Sequence, residues 1–232
     1  MSLQQAWAGQ AEDWSRWARA AGHDSYWLFH RDRFLELLPP PGRLTLDLGC
    51  GEGRLPRDLG ERGYRVVGLD VTPALVDLAR EADPGGEYVL GDAAALPFED
   101  ASFDLVHAFM SLMDMDDPAR AILEAARVLV RGGRFCVALE HPINSAGAFV
   151  SREPGSPFVI EGSYLEPHRY ANVVEKDGLQ MIFTGDHRPL EGWFGMLEGA
   201  GFAIERVREI GDVSSRRWSR MPLFLHLRAV KR

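Results

Sequence analysis

Only two cysteines, Cys50 and Cys136, occur among the 232 residues. Two are too few for a disulfide scaffold or a cysteine zinc site, and such scarcity fits a reducing cytoplasm. No apolar run approaches the roughly 18 residues that a membrane-crossing helix needs. Residues 1–14 are polar and acidic, whereas a secretory leader is basic and then apolar. Positive charge is in short supply: 26 Lys and Arg stand against 34 Asp and Glu, a formal net charge of −8. That balance disfavours a dedicated nucleic-acid binder, whose affinity depends on a basic face. Repeats and low-complexity linkers are absent. The expectation is a cytoplasmic protein, monomer or homodimer, with no membrane or nucleic-acid partner.

The composition is that of an ordinary globular chain, 46% hydrophobic and 26% charged. It suits one α/β domain with a modest insertion. The charge is uneven, because residues 201–232 hold eight Arg or Lys against three acids. That run, with Arg216, Arg217, Arg220 and Arg228, reads either as the solvated edge of terminal strands or as a binding patch.

Four zones follow from texture. Residues 1–42 form a helical, aromatic cap in which Trp7, Trp14 and Trp17 share one helical face, ending at Pro39-Pro40-Pro41-Gly42. Residues 43–140 alternate strand and helix signals: apolar runs at 44–48, 65–69, 88–90, 103–109 and 134–139, separated by helical patterns. Thr72-Pro73 predicts a helix start with a capping side chain, and Asp117-Pro118 predicts another. Such alternation implies a parallel sheet with helices on both faces. Residues 141–187 read as an insertion with a hairpin, 170–176 and 180–184, turning at Asp177-Gly178. Residues 188–232 supply a helix and two strands that complete the core.

The chemistry starts at Asp47-Leu48-Gly49-Cys50-Gly51-Glu52-Gly53, where a strand runs into alternate glycines and then a helix. Glycine there lets the backbone turn and lets a ligand approach without a Cβ in the way. The spacing is G-x-G-x-G, not the G-x-G-x-x-G of a dinucleotide fingerprint, which weakens a nicotinamide reading. Asp70 ends the second strand, where an acid can accept hydrogen bonds from ribose hydroxyls. Asp92 ends the third strand beside Ala93 and suits an adenine amino group.

With LDLGCGEGR at 46–54, VVGLD at 66–70, GDAAALPFEDASFDLV at 91–106 and EAARVLVRGGRF at 124–135, the chain resembles the class I S-adenosylmethionine-dependent methyltransferases. The resemblance covers about 100 contiguous residues; Arg131-Gly132-Gly133 departs from the family's usual Pro-Gly-Gly. It implies a Rossmann-like, doubly wound sheet of seven mostly parallel strands with the last reversed. It implies S-adenosylmethionine as cofactor, with Asp47, Gly49, Cys50 and Gly51 along its methionine and ribose, and Asp70 on the ribose hydroxyls. Val71, Asp92 and Ala93 would meet the adenine, Phe109 and Met110 would flank the sulfonium, and Arg31 or His30 would meet the carboxylate. The expected activity is O- or N-methylation of a small-molecule acceptor. Two alternatives stay open, methylation of RNA or protein and cofactor binding without catalysis.

For the acceptor side, His141 follows the fifth strand and His187 opens the late helix. Either is placed to act as a general base, or to serve as a backbone-bonded turn or cap residue. Tyr164, Tyr170 and Phe183 are candidate walls of an apolar pocket. No metal site is expected: among Asp114, Asp116 and Asp117 the last is explained as a helix start, and His141 and His187 lack partners at metal spacing.

Overall fold

A computed structural model describes residues 1–232. The cap comprises helix α1 (Leu3–Arg19), a π-helical turn (Tyr26–His30) and α2 (Arg31–Leu35). The alternating zone is β1 (Thr45–Leu48), α3 (Arg54–Gly60), β2 (Val66–Asp70), α4 (Pro73–Ala82), β3 (Glu87–Leu90), β4 (Phe103–Phe109), α5 (Pro118–Val128) and β5 (Leu129–Glu140). After it come α6 (Pro142–Ser145), β6 (Gly147–Phe149), β7 (Phe158–Ile160), β8 (His168–Lys176), β9 (Leu179–His187), α7 (Leu190–Gly199), β10 (Phe202–Ile210) and β11 (Phe224–Lys231).

Seven strands form one sheet in the order β10-β11-β5-β4-β1-β2-β3. β1 to β5 run parallel, and β11 runs antiparallel to both β5 and β10. The last strand is therefore reversed within a mostly parallel, doubly wound sheet. The chain winds from β1 outward to β3, then returns to β4 on the other side of β1. A crevice opens where the winding reverses, outside the carboxyl ends of β1 and β4.

All four β1 residues are buried, as a strand covered on both faces requires. One face carries the main core, with Leu46, Val106 and Phe135 packed under Ile122 of α5 and Trp193 of α7. On the other face the cap itself supplies the cover, through Tyr26, Phe34 and Leu37 against Leu55, Leu105 and Phe109. α5 starts as its sequence predicts: Asp117 accepts a hydrogen bond from Arg120 N at 2.9 Å, and Pro118 occupies the first turn. α4 differs, since Thr72 makes no capping bond and instead donates its backbone N–H to Asp70 Oδ1 at 2.9 Å. The carboxylate that ends β2 outcompetes the hydroxyl cap. The strand signal at 134–139 is extended in the structure, since Gly132-Gly133 lies within β5 with Gly132 at φ +76° while the β4–β5 register shifts between Phe103 and Leu105. The pair makes an irregularity in a long strand, not a turn before a short one.

The hairpin forms as Asp177-Gly178 predicts, with φ of +50° and +79° at the two turn residues and Lys176 opposite Leu179. Its inner face meets α1, where Phe183 packs edge-on against Trp14 and Trp17 at 6.3 and 5.9 Å. Lys176 Nζ donates to Gly22 O at 2.6 Å and ties the hairpin to the end of α1. Asp116 accepts from Leu3 N at 2.8 Å, so a carboxylate from the loop after β4 sits at the positive end of α1. α1 and the hairpin together roof the crevice.

Candidate active site

Under that roof lies a cavity of about 820 Å³, towards the upper end of ordinary ligand pockets. Its floor is the loop after β1. Gly49, Gly51 and Gly53 all have positive φ, +75°, +56° and +81°, which side chains with a Cβ adopt only at a cost. A Cβ on Gly49 would stand 2.6 Å from the Ser111 Cβ, so the loop can only close onto the turn after β4 as glycine. A Cβ on Gly51 would instead project into the cavity, its nearest neighbour being Trp14 Nε1 at 3.5 Å. Ser111 locks the two loops by donating its hydroxyl to Leu48 O at 2.6 Å. Met110 takes φ +52°, a strained turn between β4 and the cavity wall.

Asp70 organises the loop. Its Oδ2 accepts from Gly51 N at 2.8 Å and its Oδ1 from Thr72 N. Burial pushes the Asp70 carboxyl upward, and those two N–H groups pull it back toward the ionised form. The Thr72 hydroxyl adds a third bond, and the carboxylate keeps acceptor capacity for hydroxyls entering the cavity. Asp47 is buried with His107 Nδ1 3.0 Å from its Oδ1. Cys50 lies over Gly68, where any Cβ would come within 2.9 Å of its sulfur. Burial, reinforced by Asp70 and Asp47, pushes its thiol well up, so its small size and not its reactivity explains it. Asp92 is exposed at the cavity edge, accepting from Ala94 N at 2.8 Å, while Ala93 is buried beside it.

Asp47, Gly49, Cys50, Gly51, Asp70, Val71, Asp92, Ala93, Phe109 and Met110 all line this one cavity. Five expected residues do not: Arg31, His30, His141, His187 and Tyr164, whose hydroxyl instead accepts from Leu190 N at 3.0 Å. Arg31 Nε and Nη2 are committed to Asp58 at 3.0 and 2.8 Å, outside the cavity. Arg54 lines the cavity in its place, stacked 4.9 Å over Trp14 and paired with Asp24. His141 is the cap of α6: its Nδ1 accepts from Ile143 N at 3.1 Å and its Nε2 lies 3.1 Å from Glu209. His187 sits between Ser145 Oγ at 2.8 Å and Tyr164 O at 2.9 Å, and is fully buried. Burial pushes both imidazoles below their ordinary range. Both imidazoles lie outside the cavity lining and are engaged in local bonds, where the sequence led us to expect general bases. His30 is likewise buried against His226, Nδ1 to Nε2 2.8 Å, and not aimed at the cavity.

Tyr170 and Phe183 line the cavity as expected, and two acids not expected there join Tyr170. Asp114 follows β4, Glu140 ends β5 and Tyr170 lies on β8. Asn144 Nδ2 donates to Glu140 Oε1 at 2.7 Å. Burial pushes Glu140 up to about 6, with the Tyr170 hydroxyl beside it opposing the rise. Burial and the neighbouring acids Glu140, Asp186 and Asp70 push Asp114 well up. Glu140 is the last residue of β5 and lines the cavity, whereas His141, one residue on, is already the cap of α6. Tyr170 is paired across the hairpin with Gly185, and a Cβ there would be 2.6 Å from the Tyr170 hydroxyl and 3.1 Å from Asp114 Oδ1. Gly185→Ala is therefore expected to cost about 1–3 kcal/mol as overpacking. Urea unfolding checks this: Tyr170→Phe removes the clashing oxygen, so the double variant should recover part of the loss. Purely additive losses would count against the contact.

The basic tail is engaged structurally. Arg217 and Arg220 donate to Ser151 O and Ser156 O, and Arg228 Nε pairs with Glu205 at 2.8 Å. There is no group of three or more acidic, His or Cys side chains arranged to hold a metal, and no helix is long and apolar enough to cross a membrane.

A reversed-strand doubly wound sheet with a glycine loop and two acids at its switch point is the frame of a methyl-transfer protein, and comparison with known proteins agrees. Residues 46–137 match the methyltransferase-domain family. A demethylmenaquinone methyltransferase from Beutenbergia cavernae is 34% identical over 190 residues, 73% of this chain and 75% of that protein. A methyltransferase from Mycobacterium tuberculosis is 46% identical over 99 residues, 43% of this chain, and the chain spans only 40% of its length. The crystal structure of an S-adenosylmethionine-dependent methyltransferase from Mesorhizobium loti superposes with a TM-score of 0.69 at 27% identity, covering 86% of this chain and 96% of that one. The chain belongs to the class I S-adenosylmethionine-dependent methyltransferase family.

Proposed function

We propose that this protein transfers the methyl group of S-adenosylmethionine to a small-molecule oxygen or nitrogen nucleophile. One observation carries the reading: a single roofed cavity joins the glycine loop and Asp70 at one end to Asp114, Glu140 and Tyr170 at the other. The residues fit the cofactor. Gly51 leaves the space its Cβ would fill, and Asp70 offers two oriented oxygens for vicinal hydroxyls. Trp7 Nε1 is a buried donor in the cavity wall without a protein partner. Asp92 and Ala93 take the adenine edge, Val71 packs on its face, and Phe109 and Met110 lie along the methionine. Arg54, not Arg31, takes the carboxylate. The cofactor supplies an electrophilic methyl carbon on a sulfonium. The chain contributes alignment of the reacting atoms and a roof that excludes water.

Support for a small acceptor comes from the roof, built by α1 and the hairpin of the chain itself, and from the demethylmenaquinone methyltransferase relative. Titration calorimetry with S-adenosylmethionine is expected to show binding at one site per chain. An absence of heat and of any thermal-melt shift would refute the reading.

A further inference from the structure

The two ends of the cavity differ in kind. In the strand order β5-β4-β1-β2-β3, the acids assigned to the cofactor follow β1, β2 and β3. Asp114 and Glu140 follow β4 and β5, on the other side of the switch point. Tyr170 reaches them from the roof, across Gly185. Neither Asp114 nor Glu140 has a cationic side chain within 4 Å, whereas their neighbours Asp186 and Asp116 do. Asp186 is paired with Arg169 at 2.9 Å and Arg188 at 3.6 Å, and Asp116 lies 3.8 Å from Arg169. The cationic residues that line the cavity are used elsewhere: Arg54 on Asp24 and Lys176 on Gly22 O. Asp114 accepts no side-chain hydrogen bond at all, and Glu140 is held only through Asn144 and the Tyr170 hydroxyl. Both carboxyls are half-buried in the cavity wall, and partial loss of water without a countercharge is costly. Burial pushes both toward the protonated form, and the charges of Glu140, Asp186 and Asp70 add to the rise at Asp114. The surrounding wall is aromatic, with Phe29, Trp218 and Phe224, a surface that attracts cations at its ring faces.

We propose that the methyl acceptor is a small amine with an apolar body, whose nitrogen sits between Asp114, Glu140 and Tyr170, and that Glu140 receives its proton. This rests on the methyltransferase reading above and narrows its acceptor. An ammonium supplies the missing countercharge, whereas a carboxylate or phosphate acceptor would add a third negative group. The bound ammonium gives one proton to the Glu140 carboxylate, which exposes the nitrogen lone pair. The lone pair forms an N–C bond to the methyl carbon as the C–S bond breaks, its electron pair remaining on sulfur as a neutral thioether. The product is an N-methylammonium, and Glu140 returns its proton to solvent.

Three probes of one shape test this: phenethylamine, its uncharged counterpart 2-phenylethanol, and the anion 3-phenylpropionate. Each is titrated by calorimetry into the full chain saturated with S-adenosylhomocysteine, at pH 7.5. The amine is expected to bind at least about tenfold more tightly than the alcohol, with no binding of the anion. Glu140→Gln and Asp114→Asn should each weaken the amine by about tenfold or more, while S-adenosylhomocysteine binds as in the wild type, which also certifies their folding. The amine assignment is overturned if the alcohol or the anion binds as well as the amine, if neither substitution weakens the amine, or if the amine gives no heat at about 10 mM. A chain that fails to bind S-adenosylhomocysteine at all fails earlier, and takes the methyltransferase reading with it.

Discussion

Replacing Asp70 with alanine is expected to weaken S-adenosylmethionine binding by about a hundredfold or more. Hydrogen bonds to a charged group are worth about 1.5–3 kcal/mol each, and two hydroxyls meeting one carboxylate reach about 2.7 kcal/mol, the hundredfold mark. The carboxylate also holds the loop, through Gly51 N and Thr72 N. Alanine leaves both donors buried without partners, so the loop loses its shape even before a ligand arrives. Asp70→Asn separates the two contributions. An amide keeps one acceptor oxygen for the loop but lacks the charge, so its loss should be smaller than alanine's. Calorimetry gives both affinities, and thermal melts without ligand report the loop. Near wild-type affinity in the alanine variant would remove Asp70 from the site.

The second large effect concerns stability against pH. His30 and His226 are fully buried, with His30 Nδ1 2.8 Å from His226 Nε2 among Phe34, Phe109 and Phe224. One ring donates and the other accepts, which requires the accepting ring to be neutral, and burial disfavours a charge on either. Burial pushes His226 down to about 3, aided by Arg208 and Arg33. Burial, His226 and Arg54 push His30 well below its ordinary range. In the unfolded chain both titrate near about 6.5. Above that pH neither state binds the protons, and the pair's full contribution is present. As pH falls through 6.5 the unfolded chain takes protons that the folded chain refuses, so stability is lost, continuing toward the folded value near 3. At pH 5 the loss is about 2 kcal/mol for His226, and His30 acts in the same direction. Asp114 and Glu140 act in the opposite sense, because their raised pKa values favour the folded state as pH falls. The difference between wild type and His226→Gln isolates the histidine. Urea midpoints at pH 7.5 and pH 5 should differ less in the variant by about 2 kcal/mol. An unchanged pH dependence would mean that the imidazole is protonated in the folded chain.

Much of the cofactor side was legible because its constraints are local. A strand that meets alternate glycines, and an acid that ends the next strand, mark positions where backbone angle and closeness of approach dictate residue type. The hairpin was legible for the same reason, since Asp177-Gly178 demands left-handed backbone at two successive residues. Arg31 was misassigned because arginine in a cap helix carries no directional signal. Its partner Asp58 lies on α3, and only packing turns Arg31 there and leaves Arg54 to face the cavity. His141 and His187 were misassigned because a titratable side chain at a strand end reads as catalytic whichever way it points. Each had local acceptors and donors within reach, and local bonds won.

The amino-acid sequence by itself determined the alternating parallel sheet, the switch-point crevice and the ligand-facing loop from Asp47 to Gly53, together with Asp70 and Asp92. Those depend on periodicity and on backbone conformations that few residues tolerate. The tertiary structure alone decided the acceptor end. Asp114, Glu140 and Tyr170 come from three elements far apart in the chain, and none is unusual for its own position. They become a site only when β4 and β5 end side by side and the hairpin folds over them, with Gly185 leaving room for the tyrosine. The charge of that cluster follows from what is not there, a cation within reach of two half-buried carboxyls, and such an absence exists only in three dimensions.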